Sequence, residues 1–74
     1  MNPEERAKLQ AYLRDRLGSK ELEIRQRPRK TDSAEVYIKD EFIGVISRDD
    51  EEGELSWHFT MSILEMDLEG DGED

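Results

Sequence analysis

The spacing of the apolar residues changes at Gly18, and this change limits the folds that the chain can adopt. Before it, leucines recur at every fourth position from Leu9 to Leu17, which is the spacing of one face of a helix. After it, Leu22 and Ile24 alternate with charged residues, which is the period of a half-buried strand. One helix followed by strands is therefore expected.

The residues on either side of the leucine stripe predict where the helix begins and ends. Asn2 is a favourable N-cap, Pro3 suits the first helical position, and Glu5 completes a pair of the capping-box type. Gly18 stands where a left-handed C-terminal cap is expected. The predicted helix is Pro3–Leu17.

The rest of the chain carries the alternation and the turn residues of β-strands. A first short strand ends at Pro28. Alternation over Ala34–Lys39 and the β-rich run Phe42–Arg48 predict a hairpin, and the acidic turn Asp49–Gly53 leads into a last strand over Leu55–Ile63. We expect an α+β fold in which one N-terminal helix packs on a three- to four-stranded antiparallel β-sheet, a meander. This single domain spans residues 1–68, and residues 69–74 are expected to form a disordered acidic tail.

The turn lengths predict which strand residues share the core face. With a two-residue turn in the hairpin and a five-residue loop at Asp49–Gly53, both turns place one set of side chains under the helix. That set is Ala34, Val36, Ile38, Ile43, Val45, Leu55, Trp57, Phe59 and Met61. The leucine stripe of the helix is expected to cover this face.

The same register leaves a second group of residues on the opposite face of the sheet, where the helix cannot cover them. The group is Tyr37, Phe42, Gly44, Ile46 and His58. One interpretation is an ordinary solvated face, because antiparallel sheets tolerate scattered apolar residues. The other is a protein contact, because aromatic residues beside a hollow made by glycine resemble an anchor site. A core drawn from only 16 residues of Leu, Ile, Val and Phe would also gain stability from dimerisation.

Four basic residues around Pro28 form a candidate basic patch: Arg25, Arg27, Arg29 and Lys30. Proline is expected to hold this segment extended. Residues 1–30 carry a net charge of +4, whereas residues 31–74 carry −13, which gives −9 for the chain. The first thirty residues are therefore able to meet a polyanion that the rest would repel. Aromatic residues are not interleaved with these arginines, so a solvated segment that offsets the acidic half is favoured over a nucleic-acid site.

A resemblance to a known family covers about residues 3 to 68. The stretches that carry it are Pro3–Leu9, Arg27–Pro28, Ala34–Val45, Arg48–Asp50, Gly53–Glu54, Met61, Ile63–Leu64 and Asp67–Leu68. In these stretches the chain resembles the short bacterial proteins catalogued as domain of unknown function 3126. The resemblance implies a free-standing cytoplasmic single domain. It brings no activity, cofactor or catalytic residue.

The residue types needed for catalysis or metal binding are scarce. The chain has no cysteine and one histidine, so neither a thiolate metal site nor a Cys–His nucleophile pair can be assembled. The carboxylates of Asp49–Glu54 favour a solvated turn over a weak Ca²⁺ or Mg²⁺ site. His58 has no nucleophile or metal partner, which favours a structural contact over pH-dependent binding. We expect no catalytic, cofactor-binding or metal-binding residue.

Together these patterns indicate a small non-catalytic protein–protein interaction module, either a homodimer or the partner of a larger protein. The alternative is a regulatory nucleic-acid binder that uses the segment Arg25–Lys30. The acidic start of the chain lacks the basic region and apolar run of a signal peptide, and the lack of cysteine suits a reducing compartment. A cytoplasmic location with no membrane contact is therefore expected.

Overall fold

A computed structural model describes residues 1–51 and 53–69. Its first element is the helix α1, Pro3–Leu17, as predicted. The side chain of Asn2 accepts a hydrogen bond of 2.7 Å from the backbone N–H of Glu5, so the helix begins with a filled N-cap. Gly18 ends it in the left-handed conformation with φ 67°.

Four strands follow α1 and form one antiparallel sheet. They are β1 Leu22–Gln26, β2 Ser33–Ile38, β3 Glu41–Asp49 and β4 Ser56–Thr60, and a short helix, α2 Glu65–Glu69, comes after them. Sequential strands are neighbours, in the order β1-β2-β3-β4, so the sheet is a meander and the predicted α+β fold is confirmed.

Glu69, predicted in the tail, is the last residue of α2. The rest of that predicted tail, residues 70–74, lies outside the described residues. Neither helix of the described residues is long and apolar enough to cross a membrane.

The hairpin of β2 and β3 contains a β-bulge, and this irregularity decides which side chains face the core. Val36 lies opposite Gly44, but the next residue, Tyr37, lies opposite Phe42. Ile43 is therefore an extra residue on β3. Because side chains alternate along a strand, one extra residue moves every later β3 side chain to the other face of the sheet.

The predicted faces of the β3 side chains after the bulge are wrong for this reason. Ile46 pairs with Phe59 and is buried in the core with 2% of its surface exposed, whereas it was predicted on the opposite face. Val45, predicted in the core, pairs with Thr60 on the outer face. The predicted register between β3 and β4 is also wrong, because Asp49 pairs with Ser56 and the two strands are therefore separated by one residue more than the predicted five.

The core lies between α1 and the sheet and draws most of its residues from β1 and β2. Its buried apolar residues are Met1, Leu13, Leu22, Ile24, Ala34, Val36 and Ile46. Partly buried side chains pack against them: Leu9, Ile38, Ile43, Trp57 and Phe59. Leu55 and Met61, which were predicted in the core, are half-exposed.

Polar side chains of α1 hold the helix along the outer edge of β1. Arg14 Nε donates to the backbone oxygen of Leu22 over 2.8 Å, and the backbone N–H of Ile24 donates to Gln10 Oε1 over 3.0 Å. These bonds satisfy edge groups that a free edge strand would present to another chain. They also fix α1 over β1, so the helix-facing side of β3 and β4 is only partly covered.

Candidate protein-binding groove

An apolar groove lies between α1 and the helix-facing side of β3 and β4. Its volume is about 420 Å³. It is lined by Glu5, Lys8, Leu9, Tyr12, Leu13, Ile46, Trp57 and Phe59. Because α1 is held at the β1 edge, the sheet continues beyond the helix and leaves these apolar side chains facing a cleft. We call this cleft the groove.

The carboxylate of Glu5 closes one end of the groove and joins α1 to two strands. Trp57 Nε1 donates to Glu5 Oε2 over 2.8 Å, and Arg48 Nη1 donates to Glu5 Oε1 over 3.0 Å. Only 11% of the Glu5 side chain is exposed. The first turn of a helix favours a negative charge, so this position suits a carboxylate. The two bonds fix the indole ring of Trp57 as one wall of the groove.

The rim of the groove on α1 is basic and aromatic. Lys8, Tyr12 and Arg16 are four residues apart, which places them on one stripe of the helix. The Arg16 guanidinium lies 5.5 Å from the centre of the Tyr12 ring and donates to its hydroxyl over 3.1 Å. Tyr12 itself is 56% exposed. Lys8 pairs with Glu4 at 3.6 Å, and both side chains are solvated. The rim therefore presents an accessible aromatic ring between two positive charges.

Gly44 lies beneath a side chain of the groove. A Cβ atom built on Gly44 would lie 2.7 Å from Phe59 Cε1 and 2.4 Å from the backbone oxygen of Thr60. The missing side chain thus lets the Phe59 ring and the β4 backbone approach closely. Gly44 does not form the predicted hollow on the outer face.

Tyr37 and Phe42, two members of the predicted interaction patch, do meet on the outer face. Their rings pack edge to face with centroids 5.7 Å apart. The Arg25 guanidinium lies over the Tyr37 ring, 4.0 Å from its centre. The Tyr37 hydroxyl donates to Glu35 Oε1 over 2.8 Å, and this bond raises the pKa of Tyr37 above its ordinary value. Tyr37 is therefore engaged within its own chain, while Phe42 remains half-exposed.

His58 lies too far along the sheet to join that aromatic pair. It lies opposite Ser47, five positions along β3 from Phe42, which is about 16 Å at the rise of a strand. Its Nε2 atom lies 3.3 Å from Ser56 Oγ and 3.5 Å from Asp49 Oδ2. With Ile46 in the core and Gly44 under Phe59, the predicted patch is divided among separate places.

The predicted basic patch is also divided. Arg25 is paired with Glu23 at 2.7 Å and with Asp40 at 2.5 Å, and its hydrogen bond to Glu23 is the main cause of a raised pKa. Arg27 Nη1 donates to Ser33 Oγ over 3.3 Å. Two of the four basic residues therefore have partners inside the chain.

Pro28 lies in a tight turn, so the predicted extended segment is wrong. The Lys30 N–H donates to the Arg27 oxygen over 3.3 Å, and Arg29 takes the left-handed conformation with φ 69°. Proline followed by a left-handed residue is the pattern of a type II turn. Arg29 and Lys30 thus project from a turn between β1 and β2 and do not continue a strand.

Among residues 1–51 and 53–69, no three histidine or carboxylate side chains are close enough to hold a metal ion together. The charged residues that line the groove, Glu5 and Lys8, each have a partner on the chain. The groove therefore offers apolar surface with a charged rim, which suits binding of an apolar element.

The sequence did not reveal the groove, although it contained one signal of it. Tyr12 stands beside the leucine stripe, four residues after Lys8 and four before Arg16, and this spacing places the aromatic residue and the two basic residues on one stripe of the helix. The position of the groove depends on bonds between α1 and distant strands, which no local pattern encodes.

Comparison with known proteins gives a family but no activity. No curated protein and no solved structure matches the chain. A family model described as Protein of unknown function (DUF3126) matches residues 5–67. The match agrees with the resemblance noted in the sequence and extends from the first turn of α1 into α2. The chain therefore belongs to this family of proteins of unknown function.

Proposed function

We propose that the protein is a non-catalytic protein–protein interaction module that binds an apolar element of its partner in the groove. The observation that carries the proposal is the groove itself, an open apolar cleft of about 420 Å³ on a very small domain. An open apolar groove can accept the apolar face of an amphipathic element of a partner protein. Cytoplasm is the proposed location, because the chain contains no cysteine.

The residues around the groove are those that dominate protein interfaces. Trp, Tyr and Arg carry most of the binding energy at such surfaces, and Trp57, Tyr12 and Arg16 lie at the wall and rim. The bond from Trp57 to Glu5 holds the indole ring in place before a partner arrives. A preorganised aromatic wall reduces the entropy lost on binding. The divided basic patch supports the nucleic-acid alternative less well.

Affinity capture with three variants tests the proposal. Tyr12→Glu adds a charge to the rim of the groove at an exposed position, and Phe42→Glu makes the same kind of change on the outer face. A third variant, with Arg27 and Arg29 both changed to Ala, tests the basic turn. We expect Tyr12→Glu alone to lose the captured partner, with the fold of each variant checked by circular dichroism. Retention of that partner by Tyr12→Glu would overturn the proposal, and loss with Phe42→Glu alone would move the site to the outer face.

A further inference from the structure

We infer that the groove binds the C-terminal segment of a second copy of the chain, so that two copies exchange these segments and form a closed dimer. The C-terminal segment is defined as residues 61–69. The inference rests on the proposed function, because it names the partner that the groove accepts. It is carried by two complementary surfaces on the chain, one concave and one projecting.

The C-terminal segment presents apolar side chains with little packing in its own chain. Its large apolar residues are between 52% and 77% exposed. They are Met61, Ile63, Leu64, Met66 and Leu68. The segment holds only the five-residue helix α2, in which Asp67 Oδ2 accepts a bond of 2.9 Å from the Leu64 N–H. A helix of this length is not stable without packing, so the segment needs a surface to bind.

The segment does not reach the groove of its own chain. Ile63, Leu64 and Asp67 border a different hollow, beside the first half of β3. No residue lines both this hollow and the groove. In one copy the segment and the groove therefore both remain open to a second molecule. Because the segment and the groove are both exposed apolar surfaces, association of two molecules is favoured.

Charge supports a contact between opposite ends of two copies. Glu65, Asp67 and Glu69 alternate with the apolar residues of the segment, and the rim of the groove carries Lys8 and Arg16. Two copies that each carry −9 repel one another when like surfaces meet. Placing an acidic segment on the basic rim avoids that repulsion. It also matches the division of charge between residues 1–30 and residues 31–74.

Reciprocal exchange closes the assembly at two copies. Each chain supplies one groove and one segment, so a two-fold axis fills both grooves and leaves neither segment exposed. A chain whose own core is small gains buried apolar area from such an exchange. The expected mass in solution is therefore twice 8.7 kDa.

Sedimentation and a mixing experiment test this inference on the full chain. We expect the unchanged protein to sediment as a dimer and the variants Tyr12→Glu and Leu68→Glu each to sediment as monomers. A mixture of the two variants should recover dimers, because one intact groove then meets one intact segment. Leu55→Glu is the matched control, since Leu55 is half-exposed but lies outside both surfaces, and it should remain dimeric.

A charge-reversal pair gives a second measurement that does not change an apolar residue. Lys8→Glu should weaken the dimer, and Glu65→Lys in the same chain should restore much of the lost affinity. Both residues are exposed, so neither change should prevent folding.

Each of the other outcomes overturns the inference. A monomeric wild-type protein would overturn it. If capture of a partner still depended on Tyr12 in that case, the proposed function would stand, but the partner in the groove would not be a second copy of the chain. A monomer in which Leu68→Glu alters the fluorescence of Trp57 would show that the segment fills its own groove. A dimer that neither variant dissociates, or a mixture that stays monomeric, would exclude segment exchange.

Discussion

Trp57 donates its indole N–H to the carboxylate of Glu5 over 2.8 Å, which joins residues 52 positions apart in the sequence. The same carboxylate accepts from Arg48, so one side chain connects the first turn of α1 to both β3 and β4. The main packing of α1 lies at the other side of the sheet, against β1. Glu5 therefore spans the width of the groove and keeps its end closed.

Loss of the Glu5 carboxylate should destabilise the protein. Glu5→Ala would leave the indole N–H of Trp57 without its partner and would remove the ion pair to Arg48, which costs about 1–3 kcal/mol for a largely buried group. Glu4→Ala is the matched control in the same turn, and it should change the free energy of unfolding by less than about 0.5 kcal/mol. Urea unfolding followed by circular dichroism measures both values. Equal losses in the two variants would contradict the role of Glu5.

A side chain at Gly44 should disrupt the sheet. The Cβ atom of Gly44→Ala would lie 2.4 Å from the backbone oxygen of Thr60, and strand backbone cannot move aside as a side chain can. We expect the free energy of unfolding to fall by about 1–3 kcal/mol, the range for overpacked cores. Ser47→Ala, an exposed change on the same strand, should remain near the wild-type value. If Gly44→Ala were as stable as Ser47→Ala, the close approach of β3 and β4 would be wrong.

The local elements of this fold were predictable because their signals are local. Asn2, Pro3 and Gly18 mark both ends of α1. The alternation of apolar and polar residues, together with the short turns, predicts the sheet and its meander order. The faces of the β3 side chains were not predictable, because Ile43 is an extra residue that changes the alternation, whereas Trp57 and Phe59 of β4 pack against the core as predicted. The close approach at Gly44 accompanies that bulge, and it becomes visible only when β4 is in place.

The wrong face assignment of β3 also misplaced the predicted interaction patch. With Ile46 assigned to the outer face, the sequence placed the interaction patch there, whereas the structure puts Ile46 in a wall of the groove. The position of α1 depends on bonds from Gln10, Arg14 and Glu5 to distant strands. Such bonds link residues by geometry and leave no periodic pattern in the chain.

Glycine at Lys39 should stabilise the β2–β3 turn. Lys39 and Asp40 have φ values of 54° and 66°, the left-handed pair of a type I′ turn, which costs a lysine about 1–2 kcal/mol. Lys39→Gly removes that strain at the cost of greater freedom in the unfolded chain, so a net gain of about 0.5–1 kcal/mol is expected. Its ion pair with Glu21 is long and exposed and should contribute little. Glu41→Gly, at a strand position, should instead lower stability, and thermal unfolding distinguishes the two signs.

Ionisation of Tyr37 should report its bond to Glu35. Because the neutral hydroxyl donates this bond, the pKa of Tyr37 lies above its ordinary value of 10.0. A raised pKa in the folded state means that the stabilisation is complete below the pKa of the unfolded chain and is lost as the pH rises through the folded pKa. In a Tyr12→Phe background, Tyr37 is the remaining tyrosine, and its titration can be followed by absorbance. Glu35→Gln should lower its pKa towards 10.0, and an unchanged titration would contradict the bond.

The leucines of α1 should differ in what they contribute to stability, although their spacing makes them equivalent in the sequence. Leu13 is 9% exposed and belongs to the core, whereas Leu17 is 51% exposed at the end of the helix. Leu13→Ala should cost about 2–5 kcal/mol, because a buried cavity replaces packed atoms. Leu17→Ala should cost about 0.5 kcal/mol or less, because little apolar area is lost at an exposed helix position. Chemical unfolding of the pair measures this difference with the residue type and helix held constant. Similar losses at the two positions would contradict the difference in burial between Leu13 and Leu17.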